Sequence, residues 1–439
     1  MEYVVLFLMI GATVGVCVIA SRGVRNSAPK VSAPEAPSAP SAERAAPAPP
    51  AESSEEQSPI FKILALGPSG CGKTVYLSSL FHTLNYETPE RAFHLETDAQ
   101  QRLALGRIYG AVNDTSQPFP AGTKVADARD FIFDCVARDD ENRRHPVLRM
   151  HYCEYAGELL EGEGEGDALE ALLERIQGAD ALLGMIDGHR MRQLLRGEPA
   201  GHRYFQHTLQ PMFGFMQEAS CPIHLVLTKW DLVREEDEPE GADDGYRLDR
   251  AIEAIMRYPH VRSLVYVHSK EQIVRLIPVS AVGSDFVELD DEGKVAKRSD
   301  GELHPTNVDV PLCAVLPDLF KQIERSLDDA ARKKIQAELK RTLRRDMRSI
   351  AMGLISLPAT AIARAALPGY GYAATTMFVE SMVRRPLRDK GKRFEQAREE
   401  AERTLSVQQR LRGRVIDDFE RRVMRLEARL PQSEISRRW

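Results

Sequence analysis

Cysteine is scarce in this chain of 439 residues, and where it occurs it is scattered. Cys17, Cys71, Cys135, Cys153, Cys221 and Cys313 form no CxxC pair. That spacing argues against a disulfide framework and against a cysteine zinc site, and it suits a reducing compartment. The eleven histidines show no HExxH or similar ligand spacing, so a histidine metalloenzyme is not expected. No internal repeat is found. Long apolar runs are equally rare: only Tyr3–Ala20 continues for eighteen residues without a charge. What is abundant is ordinary globular material, 43% hydrophobic and 28% charged, at a length that suggests two or three domains.

The net charge of −6 hides an asymmetry. Residues 332–439 hold 26 Lys and Arg against 13 Asp and Glu, while the remainder holds 33 against 52. The basic tail therefore calls for an anionic counterpart: the protein's own acidic half, a phospholipid surface or nucleic acid. Nucleic acid is the least expected of these, because aromatics are sparse in the tail and no known reader motif is present.

Eighteen apolar residues is near the minimum for a membrane-spanning helix. Only Glu2 precedes the run, whereas Arg22, Arg25 and Lys30 follow it. A cleaved leader carries its basic segment before the apolar core, so the order favours an uncleaved anchor with the rest of the chain in the cytoplasm. Residues 28–58 contain seven prolines among Ala, Ser and Glu and read as a disordered tether. The expected organisation is a transmembrane anchor at 1–21, a Pro/Ala-rich linker at 22–58, a nucleotide-binding domain at 59–328 and a basic helical region at 329–439.

From Ile60 onward, apolar runs of strand length alternate with helical segments: 60–66, 131–136, 147–152, 181–186, 223–227 and 274–279. Strands separated by helices predict an α/β three-layer sandwich around a mainly parallel sheet. The runs at 131–136 and 147–152 are separated by a polar stretch too short for a helical crossover, so they are expected to form an antiparallel hairpin. After about residue 318 only helical spacing remains.

The strongest motif is Gly67-Pro68-Ser69-Gly70-Cys71-Gly72-Lys73-Thr74, a full GxxxxGK[ST] directly after the first strand and opening a helix. Its backbone N–H groups are expected to cradle phosphate, with Lys73 reaching the β- and γ-phosphates and Thr74 offering its hydroxyl to Mg²⁺. Thr228-Lys229-Trp230-Asp231 places an aspartate past the end of a buried strand. Its carboxylate can accept both N–H groups on one edge of guanine, whereas adenine leaves it unpaired. The Lys229 stem can lie over the purine. Ser280-Ala281 follows the last strand, placing the Ala281 N–H to meet the guanine carbonyl. Glu154-Tyr155-Ala156-Gly157 follows the third strand, with Glu154 as a Mg²⁺ ligand through water and Gly157 as a hinge towards the γ-phosphate.

These four segments, in this order and spacing, resemble the Ras-like, translation-factor-related class of P-loop GTPases, and residues 75–81 together with Glu158 look like bacterial double-GTPase-type domains. The resemblance covers about residues 59–328. It implies a fold with one antiparallel hairpin, GTP and GDP as ligands with Mg²⁺, hydrolysis of GTP, a protein partner or activator, and an inner-membrane location in a bacterium. It also implies a switch threonine before the second strand, for which Thr123 fits best and Thr115 is the alternative. The chain departs from the class at three places. Glu154 stands where Asp is usual, Thr228 where Asn is usual, and Glu158 where a water-orienting glutamine is usual. Binding with slow turnover is the expectation. Two rival readings stay open: a nucleotide-binding scaffold that hardly hydrolyses, and a membrane-associated ATPase using Asp187, which ends another apolar strand.

Residues 350–382 are apolar but interrupted by Pro358 and by Pro368-Gly369, with basic flanks. A soluble helical hairpin, an interfacial hairpin on anionic lipid and a spanning hairpin are all open for this segment.

Overall fold

A computed structural model describes residues 58–120, 129–154, 166–233, 239, 241–290, 293–345, 357–384 and 407–438. The expected anchor, and all of the linker but Ser58, lie outside them. The chain divides into units Met1–Glu55 and Glu56–Trp439, and the second carries everything below.

Seven strands form one sheet: β1 (Ile60–Leu66), β2 (His94–Glu96), β3 (Arg129–Arg138), β4 (Arg144–Glu154), β5 (Ala181–Asp187), β6 (Ile223–Thr228) and β7 (Val274–Pro278), in the order β2-β3-β4-β1-β5-β6-β7. The pairings β4–β1, β1–β5, β5–β6 and β6–β7 are parallel, and β3 runs antiparallel to both its neighbours. The middle of the sheet reads as continuous apolar sequence because it is covered on both faces; β5 is buried at all seven positions.

The β3–β4 hairpin is longer than its apolar centres suggest. Pairing continues out to Arg138 with Arg144, and the turn is only Asp139–Arg143. The Asp139 carboxylate accepts the Glu141 and Arg143 amides at 3.0 and 2.8 Å, and Asn142 takes a left-handed φ of 65°. The helix α1 (Lys73–Leu84) follows the P-loop, and α2 (Ala99–Asn113) follows β2, capped by the Asp98 side chain on Gln101 N. Neither β2 nor α2 was legible in the sequence. β2 has three residues, and α2 buries only Leu105 and Val112, so neither makes a strong periodic signal.

The remaining principal helices are α3 (Gly166–Gln177), α4 (Gly188–Leu195), α5 (Asp244–Ile255), α6 (Pro259–His268), α7 (Val315–Ser326), α8 (Asp329–Arg345), α9 (Leu357–Ala366), α10 (Tyr372–Arg384) and α11 (Val407–Arg429). A small antiparallel hairpin, β8 (Val287–Leu289) with β9 (Val295–Lys297), intervenes before α7. It too was unforeseen.

The tail shares the core of the sheet. Ala359, Ala363, Ala374, Met377, Phe378, Val379, Val415 and Phe419 belong to the same apolar cluster as β1 and β5. Helices α9 and α10 have ten and thirteen residues, and among the described residues no helix is long and apolar enough to cross a membrane. In the described part of 350–382 one face is buried in this core, while Ala365, Ala366, Gly371 and Tyr372 are exposed. The tail's positive charge is in part met within the chain: Arg414 pairs with Asp140 (3.2 Å), Arg438 with Asp249 (2.8 Å), and Arg422 with Asp309.

A buried ionic cluster fastens the far end of the tail to the sheet. Arg275 on β7 donates twice to Asp318 of α7, at 2.5 and 2.6 Å, and once to Glu427 of α11 at 2.9 Å. His224 on β6 lies 2.9 Å from the same Asp318. Glu434, fully buried beyond α11, receives Lys321, Arg325 and Arg437 at 2.6, 3.0 and 2.8 Å. The Arg275 guanidinium and His224 hold the Asp318 carboxyl well below the usual range despite its burial.

Candidate functional site

The described motif residues converge on one edge of the sheet, outside the carboxyl ends of the parallel strands, where open α/β sheets bind ligands. The P-loop follows β1, Glu154 ends β4, Asp187 ends β5, Thr228 ends β6, and Ser280-Ala281 follows β7. The P-loop needs left-handed backbone at Gly70 (φ 73°) and Gly72 (φ 95°), and Gly72 then caps α1. Lys73 is buried and curls into the loop, donating to Gly67 O at 2.7 Å and Pro68 O at 3.0 Å.

Thr74 Oγ1 donates to Glu154 Oε1 at 2.7 Å. A hydroxyl at the start of a helix and a buried carboxylate thus meet in the wall of the cavity that Lys73 also lines. This donor set, hard oxygen on oxygen, fits Mg²⁺. The Glu at 154, one methylene longer than the usual Asp, reaches the threonine directly.

Thr228 explains its own departure. Its hydroxyl lies 2.6 Å from Cys71 O and 3.0 Å from Ile186 O, so it ties the P-loop to β5. Lys229 holds a left-handed φ of 50°, and its Nζ donates to Gly70 O at 3.1 Å and to Asp187 Oδ2 at 2.7 Å. Asp187 also caps α4, accepting the His189 amide at 2.9 Å. Those are structural duties, and Thr74 is served by Glu154, so the geometry does not favour the ATPase reading of Asp187. Gly188 allows this closeness: a Cβ there would stand 2.2 Å from Thr228 O.

Ser280 Oγ donates to Asp231 Oδ1 and accepts the Gly283 amide at 2.7 Å. Ser79 of α1 holds the other side of that loop, donating to Ala281 O at 2.8 Å. A cavity of about 230 Å³ is lined by Ser69, Gly70, Gly72, Lys73, Thr74, Glu154, Thr228, Lys229, Asp231 and Ala281. Among the sequence-nominated residues, Gly67, Cys71 and Ser280 stand behind this wall. Cys71 is fully buried, and burial pushes its thiol above the usual range, so it supports the loop and offers no reactive thiolate.

Thr123, Gly157 and Glu158 lie outside the described residues. Thr115 is described and does not line the cavity; its hydroxyl lies 3.5 Å from Ser299 O. Sequence reasoning missed Asp187 as the partner of Lys229, Ser79, and an apolar wall that includes Phe119, Val287 and Val295. Only long-range contacts reveal these.

No family model matches the chain, and no curated protein matches it. Solved structures do. The bacterial selenocysteine-specific elongation factor EF-Sec is 14% identical, over 51% of this chain and 26% of that one, with a TM-score of 0.24. The Saccharomyces cerevisiae Ski7 GTPase-like domain bound to GTP is 14% identical, over 56% and 48%, with a TM-score of 0.30. A variant of Aquifex aeolicus Era bound to GDP and aluminium fluoride is 13% identical, over 51% and 52%, with a TM-score of 0.23. The chain thus spans about half the length of two of these and a quarter of the third. What makes this a P-loop GTPase-like fold is the sheet itself: a P-loop strand flanked by parallel neighbours, one of them the second arm of an antiparallel hairpin.

Proposed function

We propose that this chain binds GTP with Mg²⁺ and hydrolyses it to GDP, acting at a membrane as a switch or assembly regulator. The observation that carries the reading is that one cavity collects two chemistries. Lys73, Thr74 and Glu154 suit a magnesium-bound triphosphate, and Asp231, Lys229 and Ala281 suit guanine. An ionised Asp231 accepts two N–H groups from guanine and finds none on adenine. Ser280, which donates to Asp231, keeps that carboxylate oriented.

Hydrolysis would be in-line attack of water on the γ-phosphate, with the protein contributing position and charge neutralisation. Mg²⁺, when bound, neutralises phosphate charge, and Thr74 and Glu154, joined by Thr123, are the residues to hold it. Lys73 supplies the fixed cation, and Glu158 is the candidate to orient the water. Slow turnover in isolation, with a missing cation supplied by a protein partner, follows from the carboxylate at 158. Residues 3–20 provide the anchor, with the nucleotide domain in the cytoplasm.

The test is nucleotide choice by residues 56–439, one compact unit. GTP and GDP are expected to bind far better than ATP. Asp231→Asn exchanges an acceptor for a donor and is expected to shift preference to xanthine nucleotides. Equal affinity for ATP and GTP in the unmutated protein sinks the reading. Deleting residues 1–20 is expected to release the protein from membranes; protease access to residues 28–58 from outside intact cells overturns the orientation.

A further inference from the structure

The β8–β9 hairpin is too small to be stable alone. Two contacts among the described residues help to hold it. The first is an apolar cluster separate from the main core, in which Phe286 and Val287 pack with Val282, Leu232 and Val112 of α2. The second is polar. Lys297, at the end of β9, donates to Ala111 O at 2.6 Å and Asp114 O at 2.9 Å, carbonyls at the C-terminal end of α2. A cation there meets carbonyls that the helix itself leaves open, at the negative end of its dipole. The same ammonium stands 4.9 Å from the centre of the Phe119 ring.

So fastened, the hairpin contributes Val287 and Val295 to the wall of the cavity that holds Asp231 and Ala281. We propose that this hairpin is a lid that retains the guanine nucleotide, with Val295 in contact with the ligand and Lys297 as the positioning residue that keeps the lid down. The inference rests on the functional reading above. Phe119 extends its consequence: it lines the cavity, contacts Phe286 edge-on at 6.4 Å, and stands four residues before Thr123.

The experiment is stopped-flow dissociation of N-methylanthraniloyl-GDP from the full chain, chased with excess GDP, for the unmutated protein, Val295→Ser and Lys297→Met. Each substitution is expected to raise the dissociation rate about tenfold: for Val295→Ser the scale of removing one apolar side chain from the wall, for Lys297→Met that of losing a charge-assisted hydrogen bond. Selectivity for guanine over adenine is expected to stay, since Asp231 is untouched. The thermal midpoint of the nucleotide-free protein is expected to stay as well. Lys297 does not line the cavity, so faster release in Lys297→Met is the signature of a lid rather than of lost ligand contact. Retained GDP binding with unchanged dissociation in both variants overturns the lid and leaves the functional reading standing. A fall in thermal midpoint that accounts for the faster release overturns it too. Absence of any guanine-nucleotide binding in the unmutated protein overturns both together.

Discussion

Thr74 and Glu154 stand eighty residues apart in the chain and 2.7 Å apart in space, hydroxyl to carboxylate. Their meeting is set by sheet register. Glu154 pairs with Ala65 across the parallel β1–β4 ladder, one residue short of the end of β1 and a short loop from Thr74. Parallel register therefore delivers the acid that ends one strand to the helix that follows another.

Removing that charge is expected to act through the metal. Glu154→Gln should weaken Mg²⁺-dependent GTP binding by about 10- to 100-fold, the scale seen when metal-site partners are lost. GDP binding without Mg²⁺ should change little. A Mg²⁺ titration of nucleotide affinity checks this, and an unchanged Mg²⁺ requirement removes Glu154 from the site.

Asp187 makes the opposite prediction. It holds Lys229 and caps α4, so Asp187→Asn is expected to lower guanine-nucleotide affinity by about tenfold, the worth of roughly one charge-assisted hydrogen bond. Turnover per bound GTP should be preserved. Collapse of kcat with binding intact would instead revive the ATPase-type role for this acid.

Turnover should depend only modestly on Glu158. A carboxylate there orients water but also adds charge beside an oxygen-rich transition state, and the two effects oppose. Glu158→Gln is expected to change the rate by about tenfold or less, about 1.4 kcal/mol of barrier. Lys73→Ala should abolish binding and hydrolysis. A thousandfold loss in Glu158→Gln would make the carboxylate a true base.

The ionic cluster under the tail is a stability prediction. Asp318→Ala leaves Arg275 buried without its bidentate partner and is expected to cost about 3–5 kcal/mol, read by urea unfolding. Arg275→Met combined with Asp318→Leu should lose less than Asp318→Ala alone, because the buried guanidinium goes with its partner while Lys321, Arg325 and Arg437 still serve Glu427 and Glu434. If the double variant is the less stable, the account of this cluster is wrong.

Asp180 gives a pH dependence. Its carboxylate accepts the Lys62 amide at 2.8 Å, and burial pushes its pKa from the ordinary 3.8 up to about 6. A raised acid favours the folded state most below pH 3.8, and that contribution is lost as pH rises through about 6. Asp180→Asn, which keeps an acceptor and cannot ionise, should therefore stabilise the protein above pH 6. The expected gain is about 1 kcal/mol, kept small because the residue is only partly buried and solvent screens it. Thermal midpoints at pH 5 and pH 7.5 should show a larger gain for the variant at the higher value.

Local sequence alone determined the P-loop with its strand and helix, the parallel core and the β3–β4 hairpin. It also nominated the short segments whose described residues gather at one cavity. These are written in contiguous residues: period-two and continuous apolar runs, glycines at left-handed positions, and a lysine and threonine at fixed spacing. Tertiary structure decided the rest. That Thr228 ties the P-loop to β5, that Asp187 serves Lys229, and that Ser79 steadies Ala281 are contacts across 157, 42 and 202 residues. The apolar interrupted segment at 350–382 has the composition of an interfacial or spanning hairpin, and hydropathy cannot distinguish lipid from a protein core. Tertiary structure shows where one face goes: residues of α9 and α10 join the same apolar cluster as β1 and β5. The β8–β9 hairpin was hidden for a related reason, since three-residue strands carry almost no periodicity and gain their stability from α2 and the residues around the cavity.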